Sequence, residues 1–377
     1  MKSSYRRTGY AVVVLVLSVV FLVWGAPSGR PVRDTETLGV LTRGTVVAVL
    51  DEQEHEREPG SRGGITQLLE VAIDEHRSVE VVNDIIPVAV GRGVYLNEVR
   101  FAGEEASYTI VDIERSGHLL ILVGVFSALV LLVARREGLY ALSAMALSSV
   151  VVFRILVPGI LTGWNPILLT LLCAIPILLG TFWVGYGFSR KSLCALAAIS
   201  ITLCVVALFA HGVVDWLSLT GYADDSSLYL NSETNNGVDL VALVVAGILI
   251  AALGVLDDVA ITQVSTVYAL ARSSALRGRE LYREAMRVGT DHIGALVNTL
   301  LLAYVGAALP LLLLLQIGSF PISFSVGGEP VAQEIVRTLL ASGALVLVVP
   351  LSTLFAVLAV RRWGSEDSDD AHHGHAH

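Results

Sequence analysis

Charged residues are scarce in this sequence. They make up 16% of the 377 residues, whereas hydrophobic residues make up 54%, and the mean hydropathy is +0.70. This balance excludes a water-soluble protein, because a soluble surface needs many more polar side chains. The apolar residues are gathered into blocks of about 20, the length that an α-helix needs to cross the hydrocarbon core of a bilayer. The sequence therefore predicts a polytopic α-helical membrane protein.

Cysteine and the common catalytic motifs are also scarce or missing. The three cysteines, Cys173, Cys194 and Cys204, all fall inside apolar blocks, which indicates packing and not a disulfide framework. No Gly-x4-Gly-Lys-Ser/Thr loop is present, so nothing argues for ATP hydrolysis by this chain. His-Glu-x-x-His, Gly-x-Ser-x-Gly and Cys-x-x-Cys are missing as well. We expect a protein that is not an enzyme, and the sequence names no cofactor.

The apolar blocks predict about eight transmembrane helices. The first block follows Lys2, Arg6 and Arg7, as in a signal peptide or a signal anchor, and the lack of a clean small-x-small cleavage pattern favours an uncleaved anchor. The eight blocks cover residues 10–24, 118–134, 138–158, 166–185, 193–217, 238–256, 292–316 and 334–360.

A polar region separates the first block from the second. Residues 30–117 carry charge throughout, with short apolar alternations between turn signals such as Pro59-Gly60. Five or six short strands in this length fit a small barrel or a sandwich, and the sequence does not separate the two. The expected domains are an anchor at 1–29, this β-rich domain at 30–117, a seven-helix region at 118–360 and a disordered acidic and His-rich tail at 361–377.

The distribution of basic residues predicts the orientation in the membrane. With the N-terminus inside, 14 of the 25 Lys and Arg residues fall in the inside segments, as the positive-inside rule requires. The three short outside loops carry none. We therefore expect a multi-pass protein of the cell membrane with both termini cytoplasmic and residues 30–117 extracytoplasmic.

The strongest candidate site lies at Gly254-Val255-Leu256-Asp257-Asp258, at the cytoplasmic end of the sixth block. On a continuing helix, Asp258, Thr262 and Ser265 would share one face. Together with Asp257, they would coordinate a cation or relay protons. The alternative is that the helix breaks here and both aspartates cap an amphipathic segment, 259–287, at the inner surface.

Two further groups of polar residues are candidates. Asn298 and Thr299 lie inside the seventh block, where an amide finds hydrogen bonds only from another helix or from water, so they either line a path or join helices. The C-terminal histidines offer imidazole ligands for zinc, nickel or copper, and the alternative is a solvated tail. These histidines are His372, His373, His375 and His377.

Several stretches resemble the YibE/F-like family of bacterial membrane proteins. They are Gly159-Ile160-Leu161-Thr162-Gly163-Trp164-Asn165-Pro166, Gly254-Val255-Leu256-Asp257-Asp258-Val259-Ala260 and Val297-Asn298-Thr299-Leu300-Leu301-Leu302-Ala303-Tyr304. The resemblance covers roughly residues 110–360 and also fits the order of anchor, β-rich domain and multi-span region. It implies the fold and a role in transport. The family's single aspartate matches Asp258, so Asp257 is an addition, and the His-rich tail is not part of the resemblance.

Three functions follow as hypotheses. The first is a permease in which Asp258, Thr262 and Asn298 handle a cation or a proton. The second is an envelope assembly protein that recruits partners through its outer domain. The third is an enzyme acting on a lipid-linked substrate with Asp257, Asp258 and His292. Expected partners are membrane lipid and an unidentified small molecule or ion, with no nucleic acid. Small residues such as Gly180 and Gly306 would allow homo-oligomers.

Overall fold

The computed structural model describes most of the chain as two compact units. One unit holds residues 1–26 and 134–377, and the other holds residues 27–133. The residues described are 2–24, 40–54, 65–74, 77–84, 87–99, 106–187, 189–234, 237–317 and 321–364.

The smaller unit is built on one antiparallel sheet. Five strands are described, in the spatial order β3-β2-β1-β4-β5. The sheet curls into a half-barrel, so that its two edge strands approach each other. Arg77 of β3 donates a 2.5 Å hydrogen bond to the hydroxyl of Tyr108 on β5. The sequence left a barrel or a sandwich open, and the structure shows a single curved sheet. The strands are β1 (Val40–Glu54), β2 (Ile65–Asp74), β3 (Arg77–Asn83), β4 (Gly93–Val99) and β5 (Ser107–Ile113).

Alternation of apolar and polar residues gives the sheet its own core. Val46, Leu69, Val71, Val94 and Leu96 are almost fully buried on one face, as expected where every second side chain of a strand points to the same side. The apolar core shows that the unit has an independent source of stability.

The larger unit is a bundle of long helices. Among the described residues, six helical runs are long and apolar enough to cross a membrane, and the first of them begins in the smaller unit, at Ser116. Thr8–Leu22, within the first helix, is a shorter apolar stretch. The helices are α1 (Lys2–Trp24), α2 (Ser116–Val151), α3 (Val157–Leu161), α4 (Pro166–Gly185), α5 (Arg190–Trp216), α6 (Asp225–Glu233), α7 (Leu240–Ser273), α8 (Gly278–Ala307), α9 (Leu309–Ile317), α10 (Ile322–Gly327) and α11 (Glu329–Trp363), with a π-helical turn (Val152–Leu156) joining α2 to α3.

Two breaks bear on the predicted number of spans. Arg135 has φ 52° inside α2, so two helical segments meet there, where the sequence separates the blocks 118–134 and 138–158. Ala308 separates α8 from α9, and Pro310 stands in the first turn of α9, where a proline costs no backbone hydrogen bond. Pro176 and Pro350, by contrast, lie inside continuous helices. The count of eight spans therefore remains a prediction.

The sixth block differs most from its predicted form. The helix does not break at Asp257 and Asp258, because α7 continues through them to Ser273. Val264, Val267 and Tyr268 are buried and continue the apolar pattern, so segment 259–287 is not one amphipathic surface helix. Both aspartates lie inside a 34-residue helix, which removes the capping interpretation.

Contact pairs with a constant spacing show which helices run in the same direction. Thr8 contacts Tyr140, Ser143 donates to the carbonyl of Ala11, and Arg154 donates to the carbonyl of Leu22, each pair 132 positions apart. The helical run 136–161 is therefore parallel to α1. The guanidinium of Arg154 thus contacts one of the last carbonyls of α1. This contact is favourable, because the C-terminal end of a helix carries partial negative charge.

The same reasoning orients the core helices. Gln263 contacts Thr353, and Gly247 faces Arg337 at the same spacing of 90 positions, so α7 and α11 are parallel. Helix α5 is antiparallel to α11. At one end of this pair, the backbone N–H groups of Thr220 and Gly221, just beyond α5, donate to Glu329; at the other end Arg190 donates to the carbonyl of Trp363. We call this second end the basic end; it carries Arg190, Lys191, Arg272, Arg361 and Arg362.

A buried amide joins three helices near the middle of the bundle. The side chain of Gln263 on α7 donates to the carbonyl of Ala285 on α8 at 2.9 Å and to the hydroxyl of Thr353 on α11 at 2.8 Å. Gly289 makes room for it, because a Cβ at this position would lie 2.6 Å from Val349 and 2.9 Å from the amide.

This contact predicts different effects for two glycines of the same helix. Gly289→Ala should destabilise the protein by about 1–3 kcal/mol, since the added methyl group overpacks a filled interface. Gly294→Ala should be neutral or stabilising, because that position faces open space and alanine favours the helix. Thermal unfolding of the purified variants measures the difference, and equal melting temperatures would contradict the packing described.

Candidate functional site: an acidic cleft

A cleft of about 260 Å³ opens between α2, α4 and α7. Its polar side chains are carboxylates, phenols and one hydroxyl, set among small and apolar residues. The polar residues lining it are Glu137, Tyr140, Thr181, Tyr186, Asp257 and Asp258.

Unequal helix lengths produce the opening. The segment of α2 beyond Arg135 begins at the level of Asp257 and Ile261. Helix α4 ends at the same level. Helix α7 continues from there to Ser273. The end of the bundle that carries the arginines is therefore recessed beside α7, and the cleft lies in the recess.

The aspartates lie far from both ends of α7. At 1.5 Å per residue, about 27 Å of helix separates Leu240 from Asp258, and about 21 Å separates Asp258 from Arg272. Asp257 is partly buried and Asp258 is exposed, and the carboxylate of Asp257 accepts a 2.8 Å hydrogen bond from the N–H of Asp258. The pair thus places negative charge within an otherwise apolar helix, where it needs water or a cation.

The electrostatic environment of Tyr186 shows that the acidic groups are close together. Tyr186 stands one residue beyond α4. Burial raises the pKa of its hydroxyl most, and the charges of the three carboxylates of the cleft raise it further. Among the described residues, however, no three His, Cys, Asp or Glu side chains converge as a metal ion would require.

The inner wall of the cleft is fixed to the first helix. Tyr140 is 7% exposed, and its hydroxyl lies 3.3 Å from that of Thr8 on α1. Tyr140, Ala11 and Val184 form a small apolar cluster. A displacement of α1 would therefore shift Tyr140.

The structure places the predicted residues of α7 on one stripe. Asp258, Thr262 and Ser265 are all exposed on the same helical face, as their spacing predicted. Only the aspartates line the cleft, since Thr262 and Ser265 are not among its lining residues. In the other direction Gly254 is also exposed on this face, and one turn further the exposed residue is the apolar Ile250.

The structure does not bring the predicted residues of the seventh block to this cleft. Asn298 and Thr299 are exposed on α8, and the hydroxyl of Thr299 donates to the carbonyl of Ala295 within the same helix. His292 is exposed on the same helix and does not line the cleft either. The four histidines of the tail, His372, His373, His375 and His377, lie outside the described residues.

Sequence reasoning missed four polar residues of the cleft and the buried amide. Only the folded bundle brings Glu137, Tyr140, Thr181 and Tyr186 to α7. Gln263 is the residue that a helical wheel would have found, because it lies opposite the stripe of Asp258. A polar side chain on the apolar side of a helix indicates an internal contact.

Long apolar helices and an acidic cleft between them define the class of protein as a polytopic helical membrane protein. The family profile described as YibE/F-like protein matches residues 122–362, and the chain belongs to this family. Comparison with curated proteins gave no match. Comparison with solved structures gave none either.

Cysteine labelling can show whether water reaches the cleft. In a chain whose three cysteines are replaced by alanine, Asp258→Cys should react with a polar maleimide, because its side chain faces the opening. Ala260→Cys should not react, because Ala260 is fully buried on the same helix. Labelling of the folded protein in lipid nanodiscs measures both rates, and an unreactive Asp258→Cys would show that the cleft is dry.

Proposed function

We propose that this protein is a membrane permease that moves a cation or a proton through the acidic cleft. The observation that carries the proposal is the position of Asp257 and Asp258, in the interior of α7 and at the wall of an open cleft. Carboxylates inside a spanning helix are costly unless they serve a hydrated path or a bound ion. Family membership is compatible with this role and does not assign it.

The groups in the cleft fit a proton or a weakly held cation. Glu137, Asp257 and Asp258 supply negative charge, while Tyr186 and Thr181 supply hydroxyl groups that accept and donate hydrogen bonds. Carboxylate and hydroxyl oxygens are hard ligands, suited to alkali and alkaline-earth ions. Asn298 has no part in this proposal, because it lies on the exposed face of α8.

Helix directions support the membrane topology that accompanies the proposal. Since α1 and the run 136–161 are parallel, the chain between them has to cross the membrane once in the opposite sense. Residues 118–133 supply an apolar helical segment for that crossing. Helices α7 and α11 are also parallel, and α8 supplies the return. The positive-inside rule favours the basic end on the cytoplasmic side, and in this topology we expect residues 40–113 outside the cell.

Ion flux through proteoliposomes tests the proposal. We expect wild-type protein to carry protons or Na⁺ down an imposed potential, read with a pH-sensitive or Na⁺-sensitive dye inside the vesicles. Asp258→Asn and Asp257→Asn should each lower the flux at least tenfold, in the range of an interaction with a charged group. Glu137→Gln should lower it less, because Glu137 stands two residues after the break at Arg135 and not in the interior of a helix.

Asp291→Asn is the matched control, since it removes the same charge from an exposed position on α8 outside the cleft. Its flux should equal that of the wild type. If the aspartate variants of the cleft fold normally and carry undiminished flux, or if wild-type vesicles behave like empty ones, the permease proposal fails.

A second candidate is an assembly role carried by the sheet. The observation in its favour is that the sheet unit has its own apolar core, as a separate recruiting module would. In this role, removal of residues 40–113 would abolish the cellular phenotype while Asp258→Asn would leave it intact. The permease proposal expects the reverse for Asp258→Asn.

A further inference from the structure

A second cavity lies on the other side of α4 from the acidic cleft. This groove, of about 310 Å³, opens between the C-terminal end of α4 and the first turns of α5. Leu179, Leu193 and Leu196 form its apolar part, and Ser189 and Arg190 stand at its polar mouth. Nothing in the proposed permease function uses it.

The two ends of the groove differ sharply in chemistry. Leu193 is 65% exposed and Leu179 38%, on two helices that are long and apolar enough to span a membrane. The mouth lies at the basic end of the bundle. A phospholipid has the same two parts: its acyl chain matches the apolar wall within the membrane, and its phosphate matches the cation at the edge.

Arg190 is held in place and keeps donors free. One nitrogen of its guanidinium donates to the carbonyl of Trp363 at 3.2 Å, and the group lies 5.9 Å from the centre of the Trp363 ring. Arg362 lies 5.2 Å from the same ring. Guanidinium has five N–H donors, so most of those of Arg190 remain for an anion.

No carboxylate of the described residues forms an ion pair with Arg190 or Arg362. The hydroxyl groups at the mouth, by contrast, are used within the protein. Ser189 accepts from the N–H of Ser192, and Ser192 donates to the carbonyl of Gly187. The charge available at this mouth is therefore positive, and Trp363, 51% exposed between the two arginines, is the kind of side chain that favours the membrane interface.

We propose that this groove binds an anionic phospholipid, with the phosphate paired to Arg190 and an acyl chain lying against Leu179, Leu193 and Leu196. A zwitterionic lipid fits less well, because its ammonium group would meet the two arginines. Phe182 lines both the groove and the acidic cleft, so the bound lipid would pack against the wall of the candidate transport site.

Native mass spectrometry of the full chain tests this site. Purified protein is titrated with dioleoyl phosphatidylglycerol or dioleoyl phosphatidylcholine, and the retained adducts are counted. We expect one phosphatidylglycerol to bind in preference to phosphatidylcholine. Arg190→Gln should weaken that binding about tenfold, as loss of a charge-assisted hydrogen bond does.

Two further variants separate a defined site from a generally basic surface. Arg283→Gln removes an exposed arginine of α8 outside the groove and should leave binding unchanged. Leu179→Trp fills the groove without altering charge and should weaken binding of phosphatidylglycerol. Equal losses in Arg190→Gln and Arg283→Gln, or full binding by Leu179→Trp, would overturn the proposal. Displacement of the lipid by an equal concentration of inorganic phosphate would also overturn it, because phosphate would then bind as well without an acyl chain.

Discussion

The energetic cost of a carboxylate within an apolar helix constrains the whole bundle. Unpaired charge in hydrocarbon costs several kcal/mol, and α7 carries Asp257 and Asp258 more than 20 Å from either of its ends, by the rise of about 1.5 Å per residue. The other faces of α7 are closed by contacts with α4, α5, α8 and α11. The acidic cleft opens along the remaining face, which is where the neighbouring helices are short.

Packing explains why α7 holds this position. It is buried over most of its length, and the buried amide of Gln263 fixes it to both α8 and α11 on the side opposite the aspartates. The face that carries Gly254 and Asp258 is exposed because the other faces of the helix are packed against its neighbours. In the proposed permease such a helix would be a suitable wall for an ion path, because its charged groups would keep a fixed position while the solute moves.

The two ends of the bundle carry opposite charge. Arginine and lysine collect at the basic end, whereas Asp224, Asp225, Glu329 and Glu334 lie at the other. Glu329 receives hydrogen bonds from the backbone of Thr220 and Gly221, so that end is fastened by a carboxylate. The acidic cleft opens towards the basic end, but its lining residues carry three carboxylates and no basic side chain. In the proposed permease these carboxylates would be the main attraction for a cation.

Sequence patterns predicted the existence of the elements better than their contacts. Apolar blocks of the right length identified the helices, and alternation identified the strands, because both follow from local periodicity. The extent of α7 was missed, since Asp257-Asp258 looks like a terminus until the buried Val264, Val267 and Tyr268 show that the helix continues. Asn298 was expected beside Asp258, yet which face of an apolar helix turns inward depends on its neighbours, and α8 turns Asn298 outward. Glu137 and Tyr186 are far from Asp258 in sequence, so only the folded bundle brings them together.

The central claim is that Asp257 and Asp258 face a hydrated cleft. A cryo-electron microscopy map of the protein in lipid nanodiscs, at a resolution that shows ordered water, tests it most directly. The account predicts water or a cation within hydrogen-bonding distance of Asp258, Asp257 and Tyr186. Continuous acyl-chain density filling the space between α4 and α7, with no polar partner for either aspartate, would contradict it.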